Sequence, residues 1–462
     1  MTVVVVDAVG LTPRALADMP RLSRLAGDGF QARLDPVLPA VTCSVQASIL
    51  TGREPSAHGV VGNGWYFRDL GEVLLWRQHN ALVQGEKVWE RARREAPGFR
   101  AANLCWWYAM GATTDLTVTP RPIYHADGRK SPDCYTDPPE LHDRLVERHG
   151  DFPLFDYWGP RAGIPSSRWI GSAAQTLLDA EALDMLLVYL PHLDYDLQRF
   201  GPDSPQAAAA ARDLDEVAGT LVDHARERGD QVVVLSEYGI TPASQPVDIN
   251  RALRRAGLLR VHTQAGMEYL DPWTSRAFAV ADHQIAHVYV RDPGDLPLAR
   301  EALAELPGID VLLDGDAKAE AGLDHPRAGE LVAVAEAESW FTYYYWLDDE
   351  RAPDFARTVE IHRKPGYDPA ELFMDPDDRL AKLRAVTALA RKTIGMRYSM
   401  QVVPLDPRHV QGTHGRLPAK TEDAPVLLCS EPGQARDRIA ATEVADLLLE
   451  LSGVPGRMAV PG

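Results

Sequence analysis

The chain has 462 residues, of which 45% are hydrophobic and 25% are charged, and these proportions are typical of folded globular proteins. This length suits one large α/β domain with insertions, or two domains of ordinary size. Acidic residues outnumber basic ones by 66 to 48, and no Lys/Arg block stands out, so polymeric nucleic acid is excluded as an expected partner. A small anionic substrate remains compatible with the formal charge of −18, because a bound cation can reverse the local field in a cleft.

The spacing of the cysteines and the hydropathy of the chain indicate the cellular compartment. The N-terminus lacks the basic start and long apolar stretch of a signal peptide, and no run of 18 apolar residues occurs. We therefore expect a cytoplasmic protein without a membrane partner. The cysteines are widely spaced with no CxxC pair, which predicts reduced thiols and no zinc knuckle. They are Cys43, Cys105, Cys134 and Cys429.

The chain begins with the pattern of a buried strand. Residues 2–6 are a threonine and four valines, followed by Asp7. Such a continuous apolar run predicts a central parallel strand with the carboxylate at its carboxyl end. Thr12 and Pro13 then precede regularly spaced leucines, which predicts a single helix with Thr12 as its N-cap.

Two further apolar runs, 184–190 and 231–235, predict parallel strands, and the alanine-rich stretch from 205 to about 228 predicts the helix between them. Parallel sheets bind ligands at the carboxyl ends of their strands. Three carboxylates that follow strand ends are thus expected to converge on one crevice: Asp7, Asp194 and Glu237.

Thr42 lies where a loop enters a predicted helix. A hydroxyl at this position is ordinarily an N-cap. The same position also offers a phosphate the backbone N–H groups of a helix N-terminus, and a nearby metal ion would make the hydroxyl a nucleophile. Both interpretations stay open from these residues alone.

Five motifs in order along the chain carry a family resemblance. They lie around the first strand, at 38–63, at 189–202, at 236–239 and at 412–415. Together they resemble the nucleotide pyrophosphatase/phosphodiesterase branch of the alkaline phosphatase superfamily. The resemblance implies an α/β fold with a central, mainly parallel sheet flanked by helices. We expect residues 1–243 and 396–462 to form this alkaline-phosphatase-like core, and 244–395 to be partly core and partly a smaller inserted α+β cap.

The resemblance also implies roles for individual residues. Thr42 would be the nucleophile, and Asn63 would hold a phosphate oxygen. One metal ion would be held by Asp7, Thr42, Glu237 and Tyr238. The other would be held by Asp194, Gln198 and His414.

Three of these positions depart from the family pattern. Gln198 stands where a histidine is expected, and Glu237-Tyr238 stand where an Asp-His pair is expected. Replacing imidazole nitrogen by oxygen favours harder ions such as Mn²⁺ or Mg²⁺ over Zn²⁺, or abolishes one site. One or two divalent ions (Zn, Mn or Mg) are therefore the expected cofactors.

Other residues have two interpretations each. His283 and His287 either compensate for the missing imidazoles or are structural, and His192 is either a ligand or a loop histidine. Arg363 and Lys364 lie either in a solvated turn or in a lid that contacts an anionic substrate. The aromatic run 340–346 is more typical of core than of a base-stacking platform.

These patterns support a metal-dependent phosphoester hydrolase acting through a phosphothreonine intermediate on a small anionic phosphorylated substrate. The alternative is a non-hydrolytic phosphotransferase, mutase or isomerase, or a binding protein on the same scaffold, because fold does not fix function. The choice between mono- and diesters, and whether the chain forms a homodimer, are left open.

Overall fold

The computed structural model describes residues 1–126, 129–375 and 400–454. Their central feature is a nine-stranded sheet. From one edge to the other its strands are Arg438–Ala440, Phe30–Asp35, Val426–Cys429, Gln231–Leu235, Val3–Ala8, Met185–Leu190, Ala101–Leu104, Leu116–Pro120 and Cys134–Asp137.

The middle of the sheet is parallel, as the sequence predicts. Val3–Ala8 pairs in parallel with both Gln231–Leu235 and Met185–Leu190, and Asp7 lies opposite Leu235. Antiparallel pairing begins only at Val426–Cys429 on one side and at Cys134–Asp137 on the other. The carboxyl ends of the central strands therefore meet at one edge, where their polar side chains can form a site.

Two groups of helices flank the sheet. In one, Pro205–Glu227 packs on Ile164–Ala180, His192–Phe200 and Pro20–Asp28. In the other, Val444–Leu451 packs on Thr42–Thr51 and Val88–Glu95. The remaining described α-helices are Pro13–Leu16, Pro55–His58, Glu140–His149, Ile249–Arg255, Leu296–Ala304 and Gly315–Glu320.

The single helix predicted after Thr12 is in fact two helices. Thr12 caps Pro13–Leu16, as predicted, by accepting a hydrogen bond from the Ala15 N–H. A new helix starts at Pro20 because proline has no N–H to continue the preceding one. No helix among the described residues is both long and apolar enough to cross a membrane.

A second, antiparallel sheet lies in the segment 277–335. Its strands, in spatial order, are Ala277–Asp282, Ile285–Val290, Leu331–Ala335 and Ile309–Leu313. Ile285–Val290 has the predicted bounds, and a two-residue turn containing His283 joins it to the preceding strand. The smaller pairs are Gly64–Phe67 with Glu72–Leu75, Ile123–Tyr124 with Lys130–Ser131, Thr241–Pro242 with Gly412–Thr413, Gln245–Val247 with Ser339–Phe341, and Val261–Gln264 with Met267–Leu270.

Each large sheet has its own apolar core, and helix Thr42–Thr51 lies between them. Val45 and Ile49 belong to the core of the central sheet, whereas Cys43 and Ala47 belong to that of the second sheet. All ten residues of the helix are buried. Packing on every side fixes the position of its N-terminus.

Candidate active site

Thr42 is the first residue of its helix, and the N-cap is the extended residue Val41. The N-cap interpretation of the Thr42 hydroxyl is therefore wrong. Thr42 is only 3% exposed, and its Oγ1 lies 3.2 Å from the Tyr238 hydroxyl. The side chain thus faces the carboxyl edge of the central sheet instead of its own helix terminus.

Two of the predicted carboxylates, Asp7 and Glu237, are joined by Gln46. The Gln46 amide nitrogen donates to Asp7 Oδ2 at 3.0 Å and to Glu237 Oε1 at 2.9 Å. The amide cannot be reversed, because its oxygen accepts from the Trp107 backbone N–H at 2.8 Å. Gln46 lies one helical turn after Thr42 and was not identified from the sequence. Its spacing of four residues, which places both side chains on one helix face, is the feature that could have indicated a place in the site.

The remaining oxygens of this pair, Asp7 Oδ1 and Glu237 Oε2, are buried without a hydrogen-bond partner. Burial raises the pKa of Asp7 to about 7, although hydrogen bonds with Glu237 and Gln46 oppose the shift. Burial, and then the neighbouring charge of Asp7, raise the pKa of Glu237 well above its usual range. Two buried carboxylates in contact need either a shared proton or a cation between them.

Asp194 has a different environment. It lies in the first turn of helix His192–Phe200, because Pro191 ends the strand and the chain turns directly into this helix. The Tyr238 hydroxyl donates to Asp194 Oδ1 at 3.2 Å, and the Gln198 amide donates to Oδ2 at 2.7 Å. Burial raises the pKa of Asp194 to about 7, with these two hydrogen bonds opposing the shift.

His414 and His283 form part of a ring stack with Tyr238 and Tyr367. His414 lies parallel to Tyr238 at 3.4 Å between ring centroids, and His283 lies 3.7 Å from both His414 and Tyr367. The loop that carries His414 approaches helix His192–Phe200 so closely that a Cβ at Gly412 would lie 2.1 Å from a backbone carbonyl oxygen. Only glycine fits there.

The two ring nitrogens of His414 have different environments. Nδ1 donates to the Ala40 carbonyl at 2.8 Å, so Nε2 carries the lone pair, and it is buried without a partner. Burial lowers the pKa of His414 to about 3. Burial, with the neighbouring His414 charge, lowers the pKa of His283 well below its usual range. Both rings are therefore neutral near pH 7.

Asn63 is fully buried beside the N-terminus of the Thr42 helix. Its side-chain oxygen accepts from the Cys43 N–H at 3.0 Å, and its amide nitrogen donates to Asp282 Oδ1, also at 3.0 Å. Asp282 additionally accepts from the Asn63 backbone N–H at 2.7 Å. Asp282 thus orients the Asn63 side chain.

Three of the predicted site residues, His287, His192 and Lys364, lie away from this cluster. The His287 ring donates to the Val61 carbonyl and accepts from the Gly329 N–H, so both nitrogens are used by backbone. His192 is buried with Asp213 4.0 Å away, and its ring nitrogens have no hydrogen-bond partner.

Lys364 is 1% exposed and pairs with Asp368 at 2.6 Å and with Glu371 at 2.7 Å. The expectation that Lys364 contacts substrate is therefore wrong. Its ammonium is a structural counter-charge, and the two carboxylates raise its pKa against the opposing effect of burial. Arg363 does line the site, although it pairs with Asp354 at 3.2 Å.

Thr42, Asp194, Gln198, Tyr238 and His283 line one cavity of about 1190 Å³. Its walls include the aromatic side chains of Trp76, Trp107, Tyr157, Trp158, Tyr195 and Tyr367. Tyr367 was not recognised from its Gly/Pro-rich segment.

Three of the cations at the cavity wall carry acidic partners. Lys130 pairs with Glu360, Arg161 with Asp156, and Arg363 with Asp354. Arg121 also lines the cavity, and its guanidinium contacts the Met110 sulfur. The apolar part of the lining suits a ligand with an apolar or aromatic group.

The sheet topology and this cluster define a protein with an alkaline-phosphatase-like fold. The sequence profile of the family described as type I phosphodiesterase / nucleotide pyrophosphatase matches residues 3–368. The chain therefore belongs to the nucleotide pyrophosphatase/phosphodiesterase family, as its motifs predicted.

Two curated relatives share part of the sequence. An uncharacterized pyrophosphatase/phosphodiesterase of Schizosaccharomyces pombe is 26% identical over 225 residues, covering 46% of this chain and 38% of the relative. Human ectonucleotide pyrophosphatase/phosphodiesterase family member 7 is 24% identical over 236 residues, covering 48% of this chain and 44% of the relative. The matched region thus spans about two fifths of each relative's length.

Solved structures show the same fold over almost the whole chain. Murine ectonucleotide pyrophosphatase/phosphodiesterase 5 superposes with a TM-score of 0.59 at 13% identity, covering 100% of this chain and 98% of that one. Phosphonoacetate hydrolase from Sinorhizobium meliloti 1021, in complex with phosphonoformate, superposes with a TM-score of 0.62 at 15% identity. The superposition covers 98% of this chain and 96% of that one.

Members of this family generally depend on divalent metal ions. The unpartnered oxygens of Asp7 and Glu237 fit a cation, because they supply hard anionic ligands where a counter-charge is needed. Among residues 1–126, 129–375 and 400–454, three His, Cys or carboxylate donors come within 4.8 Å of one another only at Asp133, Cys134 and His142, on the sheet edge. Neither ion position that the resemblance implies is therefore assembled from three such donors among these residues.

Proposed function

We propose that the chain hydrolyses small phosphoesters, with Thr42 Oγ1 as the nucleophile. The observation that carries the proposal is the place of this hydroxyl, at the N-terminus of a buried helix and on the wall of the large cavity. A helix N-terminus stabilises the negative charge of a phosphoryl group. Consistent with this role, an inactive threonine-to-alanine variant of the murine relative has been solved in complex with AMP.

The reaction proceeds in two displacements. Thr42 Oγ1 forms a bond to phosphorus as the ester oxygen leaves, and water then breaks the phosphothreonine bond. The Thr42 proton passes to the Tyr238 oxygen while Tyr238 gives its own proton to Asp194, since these atoms lie in one hydrogen-bonded chain. This transfer leaves the alkoxide next to phosphorus and keeps the total charge constant.

Asn63 positions the reacting group from the side of the Thr42 helix. One hydrogen of its amide is used by Asp282, and the second is the candidate donor to a phosphoryl oxygen. A divalent ion held by Asp7 and Glu237 would supply positive charge against the phosphoryl oxygens. Their oxygen ligands favour Mn²⁺ or Mg²⁺ over Zn²⁺.

The aromatic walls of the cavity indicate the rest of the substrate. We infer a phosphoester whose leaving group or retained group is aromatic or apolar, because stacking and burial supply most of the contact there. Nucleotide esters belong to this class.

A panel of nitrophenyl esters tests the proposal. Nitrophenolate release is measured from bis-nitrophenyl phosphate, nitrophenyl phosphate and the nitrophenyl ester of thymidine monophosphate, with Mn²⁺ present. We expect enzymatic turnover of at least one ester. Binding of thymidine monophosphate without turnover of any ester would instead support the binding-protein alternative.

A further inference from the structure

The Asp194 carboxylate is surrounded by hydrogen-bond donors. It is 6% exposed, and each of its oxygens already accepts from a neutral side chain, Tyr238 on one side and Gln198 on the other. A carboxylate whose oxygens face N–H and O–H groups is stabilised without a cation. Hydrogen bonds thus satisfy both Asp194 oxygens in place of a cation.

The direction of the Gln198 amide is fixed by the Asp194 carboxylate. The carboxylate can only accept, so the amide NH₂ faces it, and the Tyr367 hydroxyl donates to Gln198 Oε1 at 2.9 Å on the other side. Reversing the amide would place its oxygen against the carboxylate. In this arrangement Gln198 presents a donor to Asp194, and not a metal ligand.

Contacts of its ring and of its hydroxyl fix the position of Tyr238. Its ring stacks on His414 at 3.4 Å, and its hydroxyl lies between Thr42 Oγ1 and Asp194 Oδ1, 3.2 Å from each. Of the expected second ligand set, Gln198 turns an N–H donor towards Asp194, and the lone pair of His414 Nε2 has no partner. One carboxylate and one imidazole are fewer than the three or four ligands usual for a divalent ion in a buried site.

We propose that the Asp194 centre takes no divalent ion, that Tyr238 and Gln198 replace it with hydrogen bonds, and that the chain works with a single ion at Asp7 and Glu237. This inference deepens the proposed function, since it states how many ions that same site uses. Tyr238, which also relays the Thr42 proton, then links Thr42 Oγ1 to Asp194 through its hydroxyl.

Counting bound ions without substrate tests the inference separately from turnover. The full chain is stripped with chelator and titrated with Mn²⁺ by calorimetry, and the bound metal is measured after gel filtration. We expect one ion per chain in the parent, one in Asp194→Asn and none in Asp7→Asn. Electron paramagnetic resonance should show a mononuclear Mn²⁺ signal.

Two bound ions in the parent, no ion in the parent, or loss of an ion in Asp194→Asn would each overturn the inference. The double variant Gln198→His/Tyr238→His provides the converse test, because it places imidazole acceptors around Asp194 and should raise the count to two. If circular dichroism shows that this variant does not fold, the numbers of ions bound by Asp194→Asn and by Asp7→Asn still test the inference. Absence of ester turnover in a parent that binds one ion would reject the proposed function and leave the ion count intact.

Discussion

Gln46 illustrates how much of the site depends on neutral side chains. It donates to the carboxylates of two strands and accepts from the backbone of a third segment, so one amide fixes three parts of the chain relative to one another. Both hydrogens and the oxygen of this amide are used, whereas Asp7 Oδ1 and Glu237 Oε2 have no partner. No local pattern distinguishes such a glutamine from an ordinary helical residue, so the sequence did not identify it.

Replacement of Tyr238 by phenylalanine measures the contribution of the hydroxyl group to catalysis. The ring stack on His414 is kept, but the link between Thr42 and Asp194 is lost. We expect kcat to fall by about 10²-fold, the usual order for loss of a positioned proton-transfer group, with little change in KM. Steady-state kinetics on the best ester of the panel measure both values.

Tyr343→Phe is the matched control, because the Tyr343 hydroxyl is buried without a hydrogen-bond partner. A kcat that falls equally in the two variants would show that loss of a buried hydroxyl, and not loss of this contact, is responsible.

Sequence prediction was most successful where a strand or helix is fixed by its own composition. Gln231–Leu235 and Ile285–Val290 have the predicted bounds, since runs of β-branched residues favour strands whatever packs on them. His287 and Lys364 were candidates for the site, each with a structural or solvated alternative. The His287 partner Val61 is distant in the sequence, so the local sequence could not reveal that contact. The Lys364 partners are only four and seven residues away, and it is their burial that the sequence did not show.

The short helix Pro55–His58 carries a pH-sensitive contact away from the cavity. His58 Nδ1 accepts from the Val60 N–H at 3.1 Å, and its Nε2–H therefore donates to Ser48 Oγ at 2.9 Å. Burial, and then the nearby charges of His325 and Arg327, lower the pKa of His58 to about 3 from 6.5. The folded state thus binds this proton less readily than the unfolded state.

Stability from His58 is fully present above pH 6.5 and is lost as the pH falls towards 3, because only the unfolded chain is protonated in that window. We expect this group to lower the free energy of unfolding by about 2 kcal/mol between pH 7 and pH 5. His58→Gln should lack that part of the pH dependence. Urea denaturation of both proteins across this range measures the difference, and parallel pH profiles would contradict the assignment.

At the scale of the whole molecule, a buried ionic cluster ties the segment 360–372 to the cavity wall. Lys364 neutralises Asp368 and Glu371, and Glu371 also accepts from the Trp158 indole at 2.6 Å. Removing one partner of such a cluster leaves a carboxylate buried without its counter-charge.

Lys364→Met is therefore expected to lower the free energy of unfolding by about 3–5 kcal/mol. It should leave substrate affinity nearly unchanged, since the ammonium does not line the cavity. Arg363→Met is the neighbouring control, because Arg363 is exposed and its ion pair contributes about 1 kcal/mol at most. A raised KM in Lys364→Met without a loss of stability would restore the lid interpretation.

The two cores explain why the site forms only in the complete fold. The carboxylates come from the central sheet, His283 comes from the turn of the second sheet, and the Thr42 helix packs on both. Thr42, Tyr238, Asp194 and Gln198, which the resemblance named, lie in one hydrogen-bonded chain, and their roles stay predictions. The resemblance could not predict that Tyr238 and Gln198 would turn their donors towards Asp194, because those directions depend on side chains that meet only in the fold.

The most direct test of the account compares ester turnover by Thr42→Ala and by Ser44→Ala. Both changes remove a buried hydroxyl from the same helix, but Ser44 Oγ has no hydrogen-bond partner. With folding verified by thermal melts, Thr42→Ala is predicted to lose at least about 10³-fold in kcat/KM, as expected for a nucleophile, while Ser44→Ala stays within a few-fold of the parent. Turnover by Thr42→Ala at a rate comparable to that of Ser44→Ala would contradict the central claim that Thr42 attacks phosphorus.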